Sequence, residues 1–255
     1  MNLSLLIELT KRDFTERYSG SVLGVFWTFI WPLVNIFVYT VIFSQVMGAR
    51  LQGASSTYSY GIYLIAGILP WTAFANTVSR SATIFADKKG IISKINVSLP
   101  SLPLYIVMSE SITFLITLFI YMVFLLMTGT PLRITLVFLP VIYLVQQIFA
   151  FSLGFFITIF HVFIRDLKEI TGIVLQIWFW FTPIVYVYDI LPALAKKLVV
   201  FNPAFLFIKA YQDVFVLNHV PDFINLMRLS IMAHLLLLAG YVIFKKLERD
   251  IRDFL

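Results

Sequence analysis

Two ionisable side chains, Glu110 and His234, fall deep inside the long apolar stretches of this 255-residue sequence, while Arg228 lies near the end of its stretch and can snorkel to the outer edge. A charge at membrane depth is costly, so such a residue marks either a proton path or a paired charge. Glu110 lies about two helical turns into its stretch, within reach of a basic loop residue. His234 reads as a packed helix residue. His161, His219 and His234 share no metal-ligand spacing. No Asp-x-Asp, Gly-x-Ser-x-Gly or His-Glu-x-x-His occurs, so the paired acids or base-activated nucleophile of an intramembrane enzyme are missing. No Gly-x-x-x-x-Gly-Lys occurs either. The chain therefore lacks a phosphate-cradling loop of its own, and any ATP chemistry belongs to another polypeptide. There is no cysteine, which removes disulfides and thiolate metal sites.

The elements that hold these residues are built for lipid. Sixty per cent of the residues are hydrophobic and 13% charged, with a mean hydropathy of +0.94. Soluble domains carry about twice that share of charge. The composition predicts an all-α integral membrane protein with six transmembrane helices. It forms a single transmembrane domain over 1–255, opening on residues 1–22 as an amphipathic interface helix. In that helix Leu3, Leu6, Ile7 and Phe14 fall at helical spacing, while Glu8, Lys11, Arg12, Asp13, Glu16 and Arg17 occupy mainly the other faces. Spans are expected at 23–47, 59–79, 102–127, within 134–164, at 170–188 and at 223–244. Pro32, Pro70, Pro140 and Pro183 fall within these stretches. The uncharged run from Ser19 to Ala49 is too long for a signal peptide and reads as a retained first span. Residues 189–222, broken by charges and by Pro192, Pro203 and Pro221, read as two short helices dipping into the outer face. Residues 245–255 read as a cytoplasmic tail.

The charges orient the chain. With both termini inside, the inner segments hold Lys11, Arg12, Arg17, Arg80, Lys88, Lys89, Lys94, Arg165, Lys168, Lys245, Lys246, Arg249 and Arg252, which is 13 of the 19 basic residues. Cytoplasmic loops carry such an excess. The net charge of +6 is explained by orientation, and no basic patch stands free of the spans to take nucleic acid. No internal repeat supports an inverted-repeat transporter. Gly20 and Gly24 have the spacing that lets two helices pack closely.

Several stretches, taken in order, resemble the membrane subunits of type-2 ABC exporters, above all the permeases for O-antigen, capsule and teichoic-acid chains. The first is Arg12-Asp13 through Arg17-Tyr18, then Ser21-Val22-Leu23-Gly24, Trp27 and Pro32-Leu33. The second is Ala86-Asp87-Lys88-Lys89-Gly90-Ile91-Ile92-Ser93-Lys94, followed by Leu99-Pro100. The third is Arg165-Asp166, Ile170 and the run Leu175 to Tyr186. The fourth is Asn202-Pro203 with Tyr211-Gln212-Asp213. The resemblance implies a half-transporter in the bacterial cytoplasmic (inner) membrane. Two copies form a channel, and two separate nucleotide-binding ATPase subunits carry ATP and Mg. This chain binds no cofactor of its own. Its partners are then a second copy, the ATPases, membrane lipids and a lipid-linked polysaccharide.

On that reading the basic inner loop 80–100 meets the ATPase. Asp87, Lys88, Lys89, Gly90 and Lys94 supply a polar rim, and Ile91, Ile92 and Ile95 an apolar anchor. These lysines also satisfy the ordinary inside-positive bias. Arg12, Asp13, Arg17 and Tyr18 on the interface helix are expected to brace the same motor, or to anchor the helix at the membrane. Aromatic rings stack on the apolar C–H faces of sugars and tolerate different sequences, as they do with nucleobases. Among 26 Phe, 12 Tyr and 5 Trp, the pore or gate candidates are Trp27, Trp31, Tyr39, Trp178, Trp180, Tyr186 and Tyr188. Aromatic residues also gather at any membrane interface. A lipid or drug permease of the same fold, an envelope-synthesis enzyme and a passive channel remain as alternatives.

Overall fold

The computed structural model describes residues 3–42, 58–92 and 98–254, which form helices joined by short turns, with no strand among them. In chain order the helices are α1 (Leu3–Arg17), α2 (Trp27–Tyr39), α3 (Ser59–Ala82), α4 (Ile84–Asp87), α5 (Lys89–Ile92), α6 (Leu104–Met127), α7 (Leu139–His161), α8 (Leu167–Trp180), α9 (Ala193–Val199), α10 (Pro203–Gln212) and α11 (Phe223–Phe254). Among the described residues, α3, α6, α7 and α11 are long and apolar enough to cross a membrane. A shorter apolar helix runs over Trp27–Ile42.

Local chemistry sets the helix ends. Asp222 caps α11, its Oδ1 accepting from the backbone N–H of Ile224 (2.9 Å). Asn202 caps α10, accepting from Ala204 N–H (3.0 Å), with Pro203 at the first helical position where no N–H is needed. Helix α11 runs for 32 residues, so the segment 245–254 continues the last helix without a break. Its charges fall at helical spacing and pair there: Lys245 and Arg252 both reach Glu248 (3.0 and 3.4 Å).

Helix α3 is the hub, packed against α6, α7, α8 and α10. It packs tightly on α7 at Gly154, where an added Cβ would stand 2.4 Å from the Ser81 Cβ. Around Phe74 the core is aromatic: its ring stacks on Phe149 (5.8 Å between centroids) and meets Phe207 of α10 at 5.2 Å. Helix α10 is therefore driven into the bundle by its buried Phe205, Leu206, Phe207 and Ile208.

Helix α8 has 14 residues and ends at Trp180, before Pro183. The chain then unwinds, and the freed carbonyls find donors. Gln212 Nε2 donates to Pro183 O (3.0 Å) and Tyr63 Oη to Tyr186 O (3.1 Å); Tyr60 Oη donates to Val185 O. Irregular backbone at membrane depth survives only against such partners. The two short helices expected between 189 and 222 are α9 and α10.

Candidate functional site

Helix α1 does not turn a purely apolar face to the bundle. Leu9, Thr10 and Asp13 are its buried residues, and Leu3 and Ile7 are exposed. Asp13 and Arg17, which the sequence pattern places with the outward charges, turn inward and enter a socket between α3 and α6. Arg17 Nη2 donates to Glu110 Oε1 (2.8 Å) and to Asp13 Oδ2 (3.2 Å). Arg80 of α3 donates to Glu110 Oε1 (2.5 Å) and also to Asp13. Ser109 Oγ and Asn76 Nδ2 supply further donors to Asp13 and Glu110. Two carboxylates and two guanidiniums thus balance. The Glu110 side chain is only 2% exposed, so its partners are what make it tolerable there. The basic loop residue expected to meet Glu110 is Arg80, which the structure places in α3, and Arg17 of α1 joins it.

Beyond this socket the chain turns from α1 into α2. Gly20 (φ +78°) and Gly24 (φ +50°) sit in that turn, in backbone that favours glycine. Their spacing therefore serves an elbow and not a helix–helix contact. Thr28 Oγ1 donates to Tyr18 Oη (2.7 Å) and Trp27 Nε1 to Ser21 Oγ (3.1 Å), which pins the elbow. Between α2, α3 and α6 lies a cavity of about 720 Å³. Trp27, Trp31 and Tyr39 all line it, so the structure brings these three candidates together. Arg17 and Glu110 also border it.

The other aromatic candidates lie elsewhere. Trp178 is partly buried within the chain, its ring edge-on to Phe74 (5.5 Å) and its Nε1 donating to Asn202 Oδ1 (2.6 Å). Asn202 Nδ2 in turn donates to Thr182 Oγ1 (3.0 Å), so this group fastens the end of α8 to α10. Trp180 is 59% exposed at the end of α8. Tyr186 Oη donates to Trp180 O (3.0 Å), and Tyr188 stacks on Phe205 (5.2 Å) with Lys196 over its ring (5.6 Å).

The segment over α4 and α5 is held from both sides. Lys88 Nζ bonds Glu16 Oε2 of α1 (3.0 Å) and Lys89 Nζ reaches the Phe254 carbonyl at the end of α11 (3.4 Å). Hydrogen bonds from Arg12 and then from Lys88 hold the Glu16 carboxyl below its usual pKa. Thr83 Oγ1 donates to Asp87 (2.6 Å). Ile92 is buried in a cluster with Leu9, Phe85, Leu99 and Phe244, and Ile91 packs against the same cluster. Of the expected apolar anchor, Ile92 is turned into the chain, because a short helix this close to α1 and α11 can bury it there, while Ile91 is only partly buried. Ala86, Asp87, Lys89 and Gly90 are the exposed residues of this segment. Lys94 and Ile95 lie outside the described residues.

Residues 4–216 match the family described as ABC-2 type transporter, and the chain belongs to that family. At the level of individual relatives, it is 29% identical over 251 residues to the "O-antigen export system permease protein RfbA" of Myxococcus xanthus, covering 98% of this chain and 94% of that protein. A Klebsiella pneumoniae protein of the same description is 29% identical over 252 residues, covering 98% and 95%. This is a transport subunit, and its residues fit positioning and passage of a cargo.

Proposed function

We propose that the chain is the membrane half of an ATP-driven exporter for a lipid-linked polysaccharide of O-antigen type. It works as two copies with two ATPase subunits, which carry ATP and Mg on themselves. The near-full-length similarity to O-antigen export permeases carries this reading. The four long helices supply four of six spans. The helix Trp27–Ile42 supplies the first, and α8 with its unwound continuation the fifth. Both termini face the cytoplasm, as the basic residues favour.

The motor contact falls on the exposed tip Asp87, Lys89 and Gly90, with Lys94 and Ile95 following it. Force there reaches α1 through Lys88–Glu16 and α11 through Lys89. In the channel between copies, Trp180 and Tyr186 serve as gate aromatics, while Trp178 acts as a fastening.

The test is recovery of an ATPase with the detergent-extracted chain, compared with a Lys89→Glu, Gly90→Trp variant. A Cβ at Gly90 meets nothing within 4 Å, so Gly90→Trp starts into open space where a partner would sit; Lys89→Glu also gives up the bond to the Phe254 carbonyl, so an unchanged unfolding temperature is required of the variant. ATPase recovered with the wild type and lost from the variant is the expected result. A wild type that brings down no ATPase overturns the exporter reading in favour of a passive channel.

A further inference from the structure

Helix α7 meets its neighbours in two ways. Against α3 and α11 it packs at glycines: Gly154 lies on Ser81, and Gly240 of α11 lies so near Phe155 that an added Cβ would stand 3.3 Å from the ring. Small residues let membrane helices approach closely. Against α6 the contact is aromatic. Phe114 stacks on Tyr143 (4.2 Å between centroids), and Tyr143 Oη donates to Ser111 Oγ (2.9 Å). Two rings side by side act as a spacer, and α6 and α7 stand apart beside them. Between α6, α7 and α11 this leaves a groove of about 580 Å³.

Buried Phe114, Leu139 and Gln147 lie along its floor, with Leu115, Leu144 and Leu237 among its walls. Its polar groups are largely spent. Ser111 Oγ donates to Val107 O (2.6 Å), Gln147 Oε1 accepts from Thr77 of α3 (3.1 Å), and Gln147 Nε2 is turned toward the Tyr143 hydroxyl. His234, at the rim, bonds the Ser230 carbonyl through Nδ1 (2.7 Å), which leaves its Nε2 as a lone acceptor. A buried water needs about two to four polar partners, so the groove suits hydrocarbon.

Helices α6, α7 and α11 are each long enough to cross a membrane, so the groove opens sideways into lipid. Along α6 it runs from Leu104 to Leu118, about 21 Å at the helical rise. Its volume over that length makes a slot roughly 6 Å across. A partner helix, roughly 10 Å across, is too wide for such a slot. A single hydrocarbon chain fits, since carbons pack at about 3.5–4 Å. The end at Leu104 and Leu237 points along α11 to a basic pair: Lys245 and Lys246 follow Leu237 by about 12 Å, and both are exposed. We propose that the groove binds one acyl chain of a membrane phospholipid, with the phosphate of that lipid at Lys245 and Lys246. The lining comes from α6, α7 and α11, away from the aromatic residues at the end of α8, so this lipid is a resident of the bundle and not cargo.

The experiment places the full-length chain in phosphatidylcholine nanodiscs with a trace of phosphatidylglycerol that carries a diazirine in one acyl chain. After illumination the adducts are mapped by mass spectrometry. They should concentrate on Leu115, Leu144 and Ile148, by about threefold or more over Ile231, Leu235 and Leu238, which are exposed on α11; a handful of extra carbon contacts suffices for that ratio. Leu144→Trp, which fills the slot, should bring the groove adducts down to the α11 level and leave those on α11 unchanged, with Leu118→Phe as a second filler. His234→Leu should keep the enrichment, because the chain needs no polar partner. Lys245→Ala with Lys246→Ala should lower groove labelling by about twofold or more. Even labelling of both faces overturns the site. So does enrichment that survives either filler in a variant with the wild-type unfolding temperature. A Leu115→Cys thiol that reacts with a water-soluble maleimide as fast as Lys246→Cys shows a wet groove and overturns it too. Groove labelling unchanged in the double lysine variant overturns the phosphate assignment.

Discussion

Glu110 survives in the bundle because two guanidiniums, Arg80 and Arg17, share its carboxylate with Asp13 beside it. A buried ion pair broken on one side leaves a stranded charge. Arg80→Ala should therefore destabilise the chain by about 3–5 kcal/mol. Thermal unfolding in detergent checks this, and adding Asp13→Asn and Glu110→Gln to Arg80→Ala should recover much of the loss. A mild single variant with no recovery in the combined one would show that the socket contributes little. The need for some partner is legible in the sequence, since a carboxyl inside an apolar stretch demands one. Which cations answer is not legible, because packing of α3 and α1 on α6 selects them. Asp13 escapes sequence reasoning for the same cause: amphipathic spacing counts charges as outward and cannot see a charged socket. Trp178 differs again. Its residue type suggests a gate, yet its bond to Asn202 makes it a fastening between α8 and α10.

Among the elements, long apolar runs are legible, and α3, α6 and α7 begin or end close to the positions that hydropathy and turn residues indicate. Segments governed by tertiary contact are less so. The end of α8 depends on Tyr60, Tyr63 and Gln212 meeting the carbonyls freed around Pro183, and these donors are remote in sequence. The continuation of α11 past residue 244 is obscured because its charges resemble a loop, although their spacing is that of helical ion pairs. Helix contacts give a sharp prediction at Gly154. Alanine usually improves a helix over glycine by roughly 0.5–1 kcal/mol. Here the new methyl would collide with Ser81 of α3, so Gly154→Ala should cost about 1–3 kcal/mol instead. A rise in the unfolding temperature would show that α3 and α7 separate easily.

For the whole molecule, the segment over α4 and α5 is tied to α1 and α11 through Lys88 and Lys89. Glu16, held by Arg12 and then by Lys88, has a defined pH signature. The pKa of Glu16 is lowered in the folded chain, so its contribution is complete above the ordinary glutamate value and disappears as pH falls through the lowered one. The difference in unfolding temperature between wild type and Glu16→Gln should be constant above the ordinary glutamate value and vanish as pH falls through the lowered one. The pair is partly exposed, so the difference corresponds to about 1 kcal/mol or less. A difference that grows on acidification contradicts the assignment.

The socket also fixes an order of events during synthesis. Arg80 follows Asp13 by 67 residues, and Glu110 follows Arg17 by 93. When α1 leaves the ribosome, Asp13 and Arg17 have only each other; Arg80 and Glu110 do not yet exist. Its docking cannot precede the appearance of Glu110, so the first helix of the chain to be made is among the late ones to find its place. Nascent chains stalled before that residue should leave Asp13 and Arg17 to water and headgroups, and stalling after it should lock them in.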